Sequence, residues 1–171
     1  RAGWATSPGS VLAGSVAVLG TIDYGQEFVC PIGEDVSAAS MFEYTGVCVM
    51  AGEDGTSVTI DTNGAVAGGT VYITTLNRGE SYQVNGDILA GATVSASKPV
   101  QAHLITGDIG ATYESRWFTL YPRETWDNRY FTPVPTAGNG QEAYVFLYNP
   151  NASAITVNAT TRFGTTPLTV T

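Results

Sequence analysis

Few side chains in this sequence have the chemistry of a catalytic group. The chain of 171 residues contains a single histidine, His103. Hydrolytic catalysis by a histidine requires a nucleophile and an acid beside it, and the sequence contains no Gly-x-Ser-x-Gly element. His103 lies in a run in which apolar and polar residues alternate, which is typical of a β-strand. We therefore predict that His103 is a structural strand residue and that the chain has no catalytic residues.

Two pairs of acidic residues, Glu34-Asp35 and Glu53-Asp54, invite comparison with a glycosidase carboxylate pair or a calcium site. Both pairs lie near glycine in turn-like contexts, where carboxylates are normally solvated. No Asp-x-Asp-x-Asp-Gly loop is present. We predict no metal site and no cofactor, and we do not expect the chain to be an enzyme.

The cysteines and glycosylation sequons are consistent with a secreted chain. Cys30 and Cys48 are the only cysteines, and each lies in an apolar run typical of a strand. Together with one histidine they do not supply the four clustered ligands of a zinc site. We predict a disulfide between neighbouring strands, worth about 3 kcal/mol for a loop of this size; two buried free thiols are the alternative. Asn151 and Asn158 each begin a sequon and are candidate glycosylation sites in a secreted chain.

Six aromatic residues lie between positions 117 and 131. The rings alternate with polar residues, which favours a core role in which they close one edge of a β-sandwich. The alternative is an exposed row of rings that stack on sugars. The candidate stacking residues are Trp117, Trp126 and Tyr130.

The elements that position these residues are predicted to be β-strands. Short runs rich in β-branched residues recur roughly every 8 to 15 positions, with turn dipeptides such as Asn63-Gly64 and Asn85-Gly86 between them. The predicted strands are 11–20, 27–30, 41–51, 57–61, 70–76, 81–84, 92–97, 100–106, 117–121, 129–132, 143–148, 154–158 and 168–171. No segment has a 3.6-residue period over a helix-sized window. Hydrophobic residues make up 43 % of the chain, which is enough for a core. These features predict an all-β fold, an antiparallel β-sandwich.

The charge pattern excludes several classes of partner. The formal net charge is −8, whereas proteins that bind a phosphate backbone need a basic face. An anionic membrane surface is disfavoured for the same reason. No run of about 18 apolar residues exists. We predict no nucleic-acid partner and no direct membrane span.

An internal repeat divides the strands into about one and a half copies of an Ig-like or jelly-roll-like unit. Three blocks recur at nearly the same offset, which is better evidence than one matching block. Residues 24–32 match 126–134, residues 56–61 match 153–158, and residues 71–74 match 168–171. We predict a strand segment at 1–22, a first sandwich repeat at 23–125 and a partial second repeat at 126–171.

The two ends of the chain look complementary. Residues 16–21 echo residues 100–107 of the first copy, and the second copy stops before that part. An incomplete sandwich exposes unpaired backbone groups and an apolar groove, and a strand donated by the next subunit would satisfy both. We predict a head-to-tail homo-oligomer, an open polymer in which the strand 11–22 is the donor. The donor residues are Val11, Leu12, Val16, Val18, Leu19 and Ile22, and the acceptor residues are Val145, Leu147, Ile155, Val157, Leu168 and Val170.

The first copy resembles the N-terminal-type domain of IgGFc-binding proteins, a family of animal mucus proteins and of bacterial and archaeal surface proteins. The resemblance lies in residues 54–60, 75–84 and 89–102, followed by Leu120-Tyr121-Pro122 and the aromatic residues after it. It implies an extracellular β-sandwich module without known catalysis, used in adhesion or surface architecture.

We therefore predict an extracellular, cell-surface structural protein, the subunit of a filament or tandem β-sandwich array. One alternative is an adhesin module that binds a glycan or host protein through exposed aromatic residues. Another is an excised piece of a long repeat protein with no function of its own. A glycan hydrolase would need two buried carboxylates in one cleft, and the sequence offers no good pair.

Overall fold

The computed structural model describes residues 2–5, 13–36, 42–64, 66–107, 116–132 and 145–171. The chain divides into two compact units, unit 1 (residues 1–127) and unit 2 (residues 128–171). The described regular structure consists of antiparallel strands and two single-turn 3-10 helices, which confirms the all-β prediction. The strands are β1 (Ala2–Ala5), β2 (Ala13–Val16), β3 (Gly25–Val29), β4 (Tyr44–Ala51), β5 (Thr56–Asp61), β6 (Val71–Leu76), β7 (Ser81–Val84), β8 (Thr93–Gly107), β9 (Arg116–Thr119), β10 (Ile155–Thr161) and β11 (Gly164–Val170), and the 3-10 helices are Thr21–Asp23 and Arg123–Thr125.

Most of unit 1 is a barrel-like sandwich of two sheets that share one long strand. Sheet I has the order β6-β5-β8-β3, and sheet II has the order β7-β4-β8-β9. The 15-residue strand β8 belongs to both sheets, since residues 93–96 pair with β5 and residues 100–107 pair with β4. The shared strand therefore closes one side of the sandwich.

Strand β8 changes sheets at Ser97-Lys98-Pro99. These residues lie between Ala96, the last residue paired with β5, and Val100, the first residue paired with β4 along β8. Proline has no N–H to donate and is tolerated where a ladder is interrupted. The register between β8 and β3 shifts over the same residues, and such irregularities let a strand bend. The local sequence thus allows the crossover.

The core of unit 1 follows from the alternation of side chains along its strands. Successive side chains of a strand point to opposite faces, and in β5 Val58 and Ile60 are buried whereas Ser57 is exposed. Val47 and Val49 repeat this pattern in β4. Burying a side chain of this size stabilises the fold by about 1.5–3 kcal/mol. Other core residues are Phe28, Leu76, Val84, Val94, Val100, Ala102 and Leu104.

The N-terminal segment differs from the single strand predicted over residues 11–20. The strand found there, β2, covers only Ala13–Val16 and pairs with β1 of the same chain. Residues 17–20 have no regular structure, and a 3-10 turn follows, closed by a hydrogen bond of 2.9 Å from Asp23 N to Gly20 O. Glycine is a weak strand residue, so the local turn replaces pairing with a distant strand at this point.

Unit 2 contains a two-stranded antiparallel ribbon, β10–β11. The predicted strand 129–132 has no regular structure, and neither do residues 145–148, the described part of the predicted strand 143–148. A strand needs a neighbour to pair its backbone groups, and none of the described strands pairs with these segments.

Candidate interaction surface

The carboxylates of Glu34 and Asp35 hold the loop between β7 and β8. Glu34 Oε1 accepts hydrogen bonds from the backbone N–H groups of Thr45 at 2.9 Å and Asp87 at 3.0 Å. Asp35 Oδ1 accepts one from Ala90 N at 2.8 Å. Both carboxylates are therefore part of the scaffold, which differs from the solvated turn that the sequence predicts.

The pair Glu53-Asp54 connects two turns with the middle of β8. Lys98 Nζ donates to Asp54 O at 2.6 Å and lies 3.9 Å from Glu53 Oε2, and Asp54 Oδ1 accepts a hydrogen bond from Arg78 N at 2.9 Å. An exposed ion pair of this kind contributes about 0–1 kcal/mol. No group of three or more His, Cys, Asp and Glu side chains that could hold a metal ion occurs among the described residues.

Cys30 and Cys48 are both free thiols, so the disulfide predicted between them is not formed. Cys30 belongs to the core of unit 1, where burial raises its pKa to about 12. Cys48 lies between the core residues Val47 and Val49 along β4, so its side chain points to the opposite face of the strand. A disulfide needs Cβ atoms that approach each other, and these two side chains lie on different faces.

His103 is a strand residue of β8, flanked by Cys48 of β4 and Thr119 of β9. Its side chain is 8 % exposed, and Nδ1 has no hydrogen-bond partner among the described residues. Burial lowers the pKa of the imidazole, which favours its neutral form. The Trp117 ring packs edge-on against it, with 5.6 Å between the ring centroids. The environment is that of a buried sheet residue.

Most of the aromatic residues after β9 are exposed. The exposed fraction is 39 % for Trp126, 71 % for Tyr130 and 85 % for Phe131. Phe118 and Tyr121 are also exposed, at 41 % and 64 %, so the prediction that the rings close a sandwich edge is wrong for these five residues. Except for Phe118, they follow β9 and belong to no described strand whose inner face could bury them. Trp117, on β9, is half-buried. Trp126 Nε1 donates to Tyr121 O at 3.2 Å, which orients the exposed indole.

Both candidate glycosylation residues of unit 2 are exposed. Asn151 Nδ2 donates to Asn149 Oδ1 at 2.9 Å, so its amide is held in the turn before β10. Asn158 lies on β10 opposite Pro167. Glycosylation at these positions stays a prediction.

One face of the β10–β11 ribbon is apolar. Opposite residues of an antiparallel pair project to the same side of the sheet, and the register sets four aliphatic residues opposite one another in two pairs. The other side carries mainly threonine. Two of the four aliphatic residues are 38 % exposed and two are half-buried. We call this surface the ribbon face, and it consists of Ile155 opposite Val170 and Val157 opposite Leu168.

The side chains of the ribbon face are more exposed than the corresponding side chains in the first copy of the repeat. The repeat matches β10 to β5, where Val58 and Ile60 are 0 % and 1 % exposed because β6 and β8 flank the strand. Among the described residues β10 pairs only with β11. Its other edge is a row of N–H and C=O groups that can pair with a further strand. Val145 and Leu147 of the predicted acceptor are also exposed, at 58 % and 44 %.

The predicted donor segment lies against β9 at one point. Thr119 Oγ1 donates to Ala17 O at 2.9 Å, and the neighbouring Val16 is 5 % exposed. Residues 18–22 of the donor segment are more exposed than Val16. Val18 is 55 % and Ile22 93 % exposed, Leu19 is half-buried, and Val11 and Leu12 lie outside the described residues.

Comparison with known proteins places the chain in a family. A sequence model of the family described as IgGFc binding protein matches residues 14–170. No match was found among curated proteins. Among solved structures, the crystal structure of Thermotoga maritima 1070 is similar, with a TM-score of 0.43 and 16 % identity over 60 % of this chain and 97 % of that chain.

In the part of the chain that the structure describes, no helix is long and apolar enough to cross a membrane. The matched family consists of extracellular β-rich domains with binding or structural roles and is not a family of enzymes. The family match covers nearly the whole chain and confirms the resemblance found in the sequence. The chain therefore belongs to the IgGFc-binding protein family.

Proposed function

We propose that this chain is a structural module of an extracellular surface protein, joined to a neighbouring copy by addition of a β-strand to unit 2. The observation that carries the proposal is the ribbon face, an apolar surface on a sheet that has two strands among the described residues. An isolated two-stranded ribbon is marginally stable in water, and independent stability needs further strands or a covering element. Family membership supports an extracellular role in binding or architecture.

Strand addition would give β10 the environment that β5 has in unit 1. A third strand would pair the free backbone groups of β10, and a covered ribbon face would lose its contact with water. Full burial of one such side chain is worth about 1.5–3 kcal/mol. Ile155 and Leu168 are 38 % exposed, so covering these two alone would contribute about 1–2 kcal/mol.

The donor that we propose is the segment 11–22 of a neighbouring copy. Its residues Val18 and Ile22 are exposed, so they can contact another molecule without opening the core of unit 1. Residues 18–20 have no regular structure, and no hydrogen-bond ladder has to be broken for them to extend. Donation of the whole segment would replace the pairing of Ala13–Val16 with β1 and the hydrogen bond from Thr119 to Ala17 O. The contact joins two different surfaces, which generates an open, head-to-tail polymer.

Sedimentation velocity and negative-stain microscopy of the purified chain test the proposal. We expect linear assemblies whose length grows with concentration, and monomers after deletion of residues 1–22. Val18→Asp should weaken assembly at least about tenfold, equivalent to 1.4 kcal/mol, because it places a charge on the donor. The matched control is Ala17→Asp, on the other side of the segment, which should leave assembly unchanged.

Two outcomes would contradict this proposal. Assemblies that persist after deletion of residues 1–22 would show that this segment is not the donor. A full chain that stays monomeric at all concentrations would rule out self-assembly and would favour a module of a longer repeat protein.

A role as an adhesin module is a second candidate, supported by the exposed and oriented indole of Trp126. The neighbouring Tyr121 is 64 % exposed, so the two rings offer an aromatic surface to a glycan or protein ligand. Arrays of glycans and of proteins, including the antibody Fc region that the family description names, test this role. Trp126→Ala should abolish binding, and Phe163→Ala, at an exposed ring of unit 2, should not. Binding that survives Trp126→Ala would contradict it.

A further inference from the structure

The outward face of sheet II brings together three side chains with soft-metal chemistry. Cys48 of β4 lies directly opposite His103 of β8, and Met50 lies opposite Gln101. Cys48 and Met50 are two residues apart, so they project to the same side as His103 and away from the core. Opposite Cβ atoms of such a pair are about 4.5–5.5 Å apart and diagonal ones about 7–8 Å, which the flexible methionine side chain can span.

Two of these groups are available as ligands. Cys48 is a free, half-buried thiol. His103 is more than nine-tenths buried, and its Nδ1 has no hydrogen-bond partner among the described residues. A buried polar nitrogen without a partner destabilises the fold, and bonding to a metal would remove that cost.

We propose that Cys48, His103 and Met50 form a binding site for a soft monovalent cation, Cu(I). Thiolate, imidazole and thioether are the ligands that Cu(I) accepts, whereas calcium and magnesium require oxygen ligands. One thiolate and one monovalent cation leave no net charge on this partly buried face, but a divalent ion would leave an unpaired positive charge, which is costly. Binding displaces the thiol proton of Cys48 to solvent, and no change of oxidation state is involved.

Anaerobic titration of the reduced chain with Cu(I), in competition with a colorimetric Cu(I) chelator, tests the site. We expect one tightly bound ion per chain, a thiolate-to-copper absorption band in the near ultraviolet, and release of one proton. Cys48→Ser should abolish the tight site. The matched control is Cys30→Ser, which removes the buried core thiol and should retain it. Met50→Leu and His103→Gln should each weaken binding about tenfold or more, as expected for loss of one ligand or its support.

Several results would overturn the assignment. A tight ion that persists in Cys48→Ser, or is lost in Cys30→Ser with the fold intact, would place the ion elsewhere. Unchanged affinity in both Met50→Leu and His103→Gln would mean that the thiol alone binds an adventitious ion. Far-ultraviolet circular dichroism of each variant shows whether weaker binding comes from loss of a ligand side chain or from unfolding of the chain. The measurement is made on the single chain, so its result does not depend on whether the chain assembles.

Discussion

Alanine substitution at one isoleucine in each of the corresponding strands β5 and β10 measures how differently the two copies of the repeat are packed. Ile60 is 1 % exposed and lies in β5 opposite Tyr72 of β6 and Val94 of β8. Because hydrogen-bonded strands hold both neighbours in place, the cavity cannot collapse, and we expect Ile60→Ala to cost about 3–4 kcal/mol, in the middle of the usual range. Ile155 is 38 % exposed on a ribbon to which no third described strand is paired. The same change there should cost less than about 1 kcal/mol.

Urea unfolding followed by far-ultraviolet circular dichroism is the assay, because the strands of both units contribute to this signal. With a slope of about 2 kcal/mol per molar urea, Ile60→Ala should lower the midpoint by about 1.5–2 M. Ile155→Ala should lower the midpoint by less than about 0.5 M, and the exposed control Ser57→Ala should leave it unchanged. A shift below about 0.5 M for Ile60→Ala, or an equal shift for Ile155→Ala, would refute the reasoning.

Three further predictions follow from buried or constrained residues. Burial lowers the pKa of His103, so stability should be complete above the unfolded value of about 6.5 and fall below it; His103→Gln should flatten this part of a urea-midpoint profile, and an unchanged slope would contradict it. A thiol reagent applied to the native chain should label Cys48 and spare the buried Cys30 in peptide mass spectrometry, and equal labelling would contradict this. Gly64→Ala places Cβ 2.1 Å from a backbone oxygen and should cost more than about 2 kcal/mol, whereas Gly55→Ala, also at positive φ but in open space, should cost about 1 kcal/mol; equal costs in thermal unfolding would exclude the steric explanation.

Strand positions in the first copy were largely predictable because their signals are local. The pattern predicted strands at 57–61, 70–76 and 81–84, close to the observed β5, β6 and β7. Alternating β-branched residues and turn dipeptides act over a few neighbouring positions, and each of these strands lies between such turns. The same signals predicted strands at 129–132 and 143–148, but residues 129–132 and the described residues 145–148 have no regular structure. A strand needs a partner strand, and the local pattern does not show whether one is present.

The sequence pattern predicted a break between two strands within what is the single strand β8. The sequence predicted two strands, at 92–97 and 100–106, because Pro99 interrupts the pattern. The structure has one strand over Thr93–Gly107. A proline breaks a ladder only where its missing N–H would be needed, and β8 changes partners at that point. The position of the partner strands therefore decided the outcome.

The sequence by itself determined the all-β class, the family and the scarcity of catalytic groups, since composition, period and motif are properties of the chain alone. Only the tertiary structure decided which strands are neighbours. Pairing brings residues 48 and 103 together across sheet II, separates Cys30 from Cys48, and leaves the ribbon face of unit 2 with two strands. A period of two residues tells which side chains share a face of one strand. It carries no information about which distant strand lies beside it, because that depends on contacts between residues far apart in the chain.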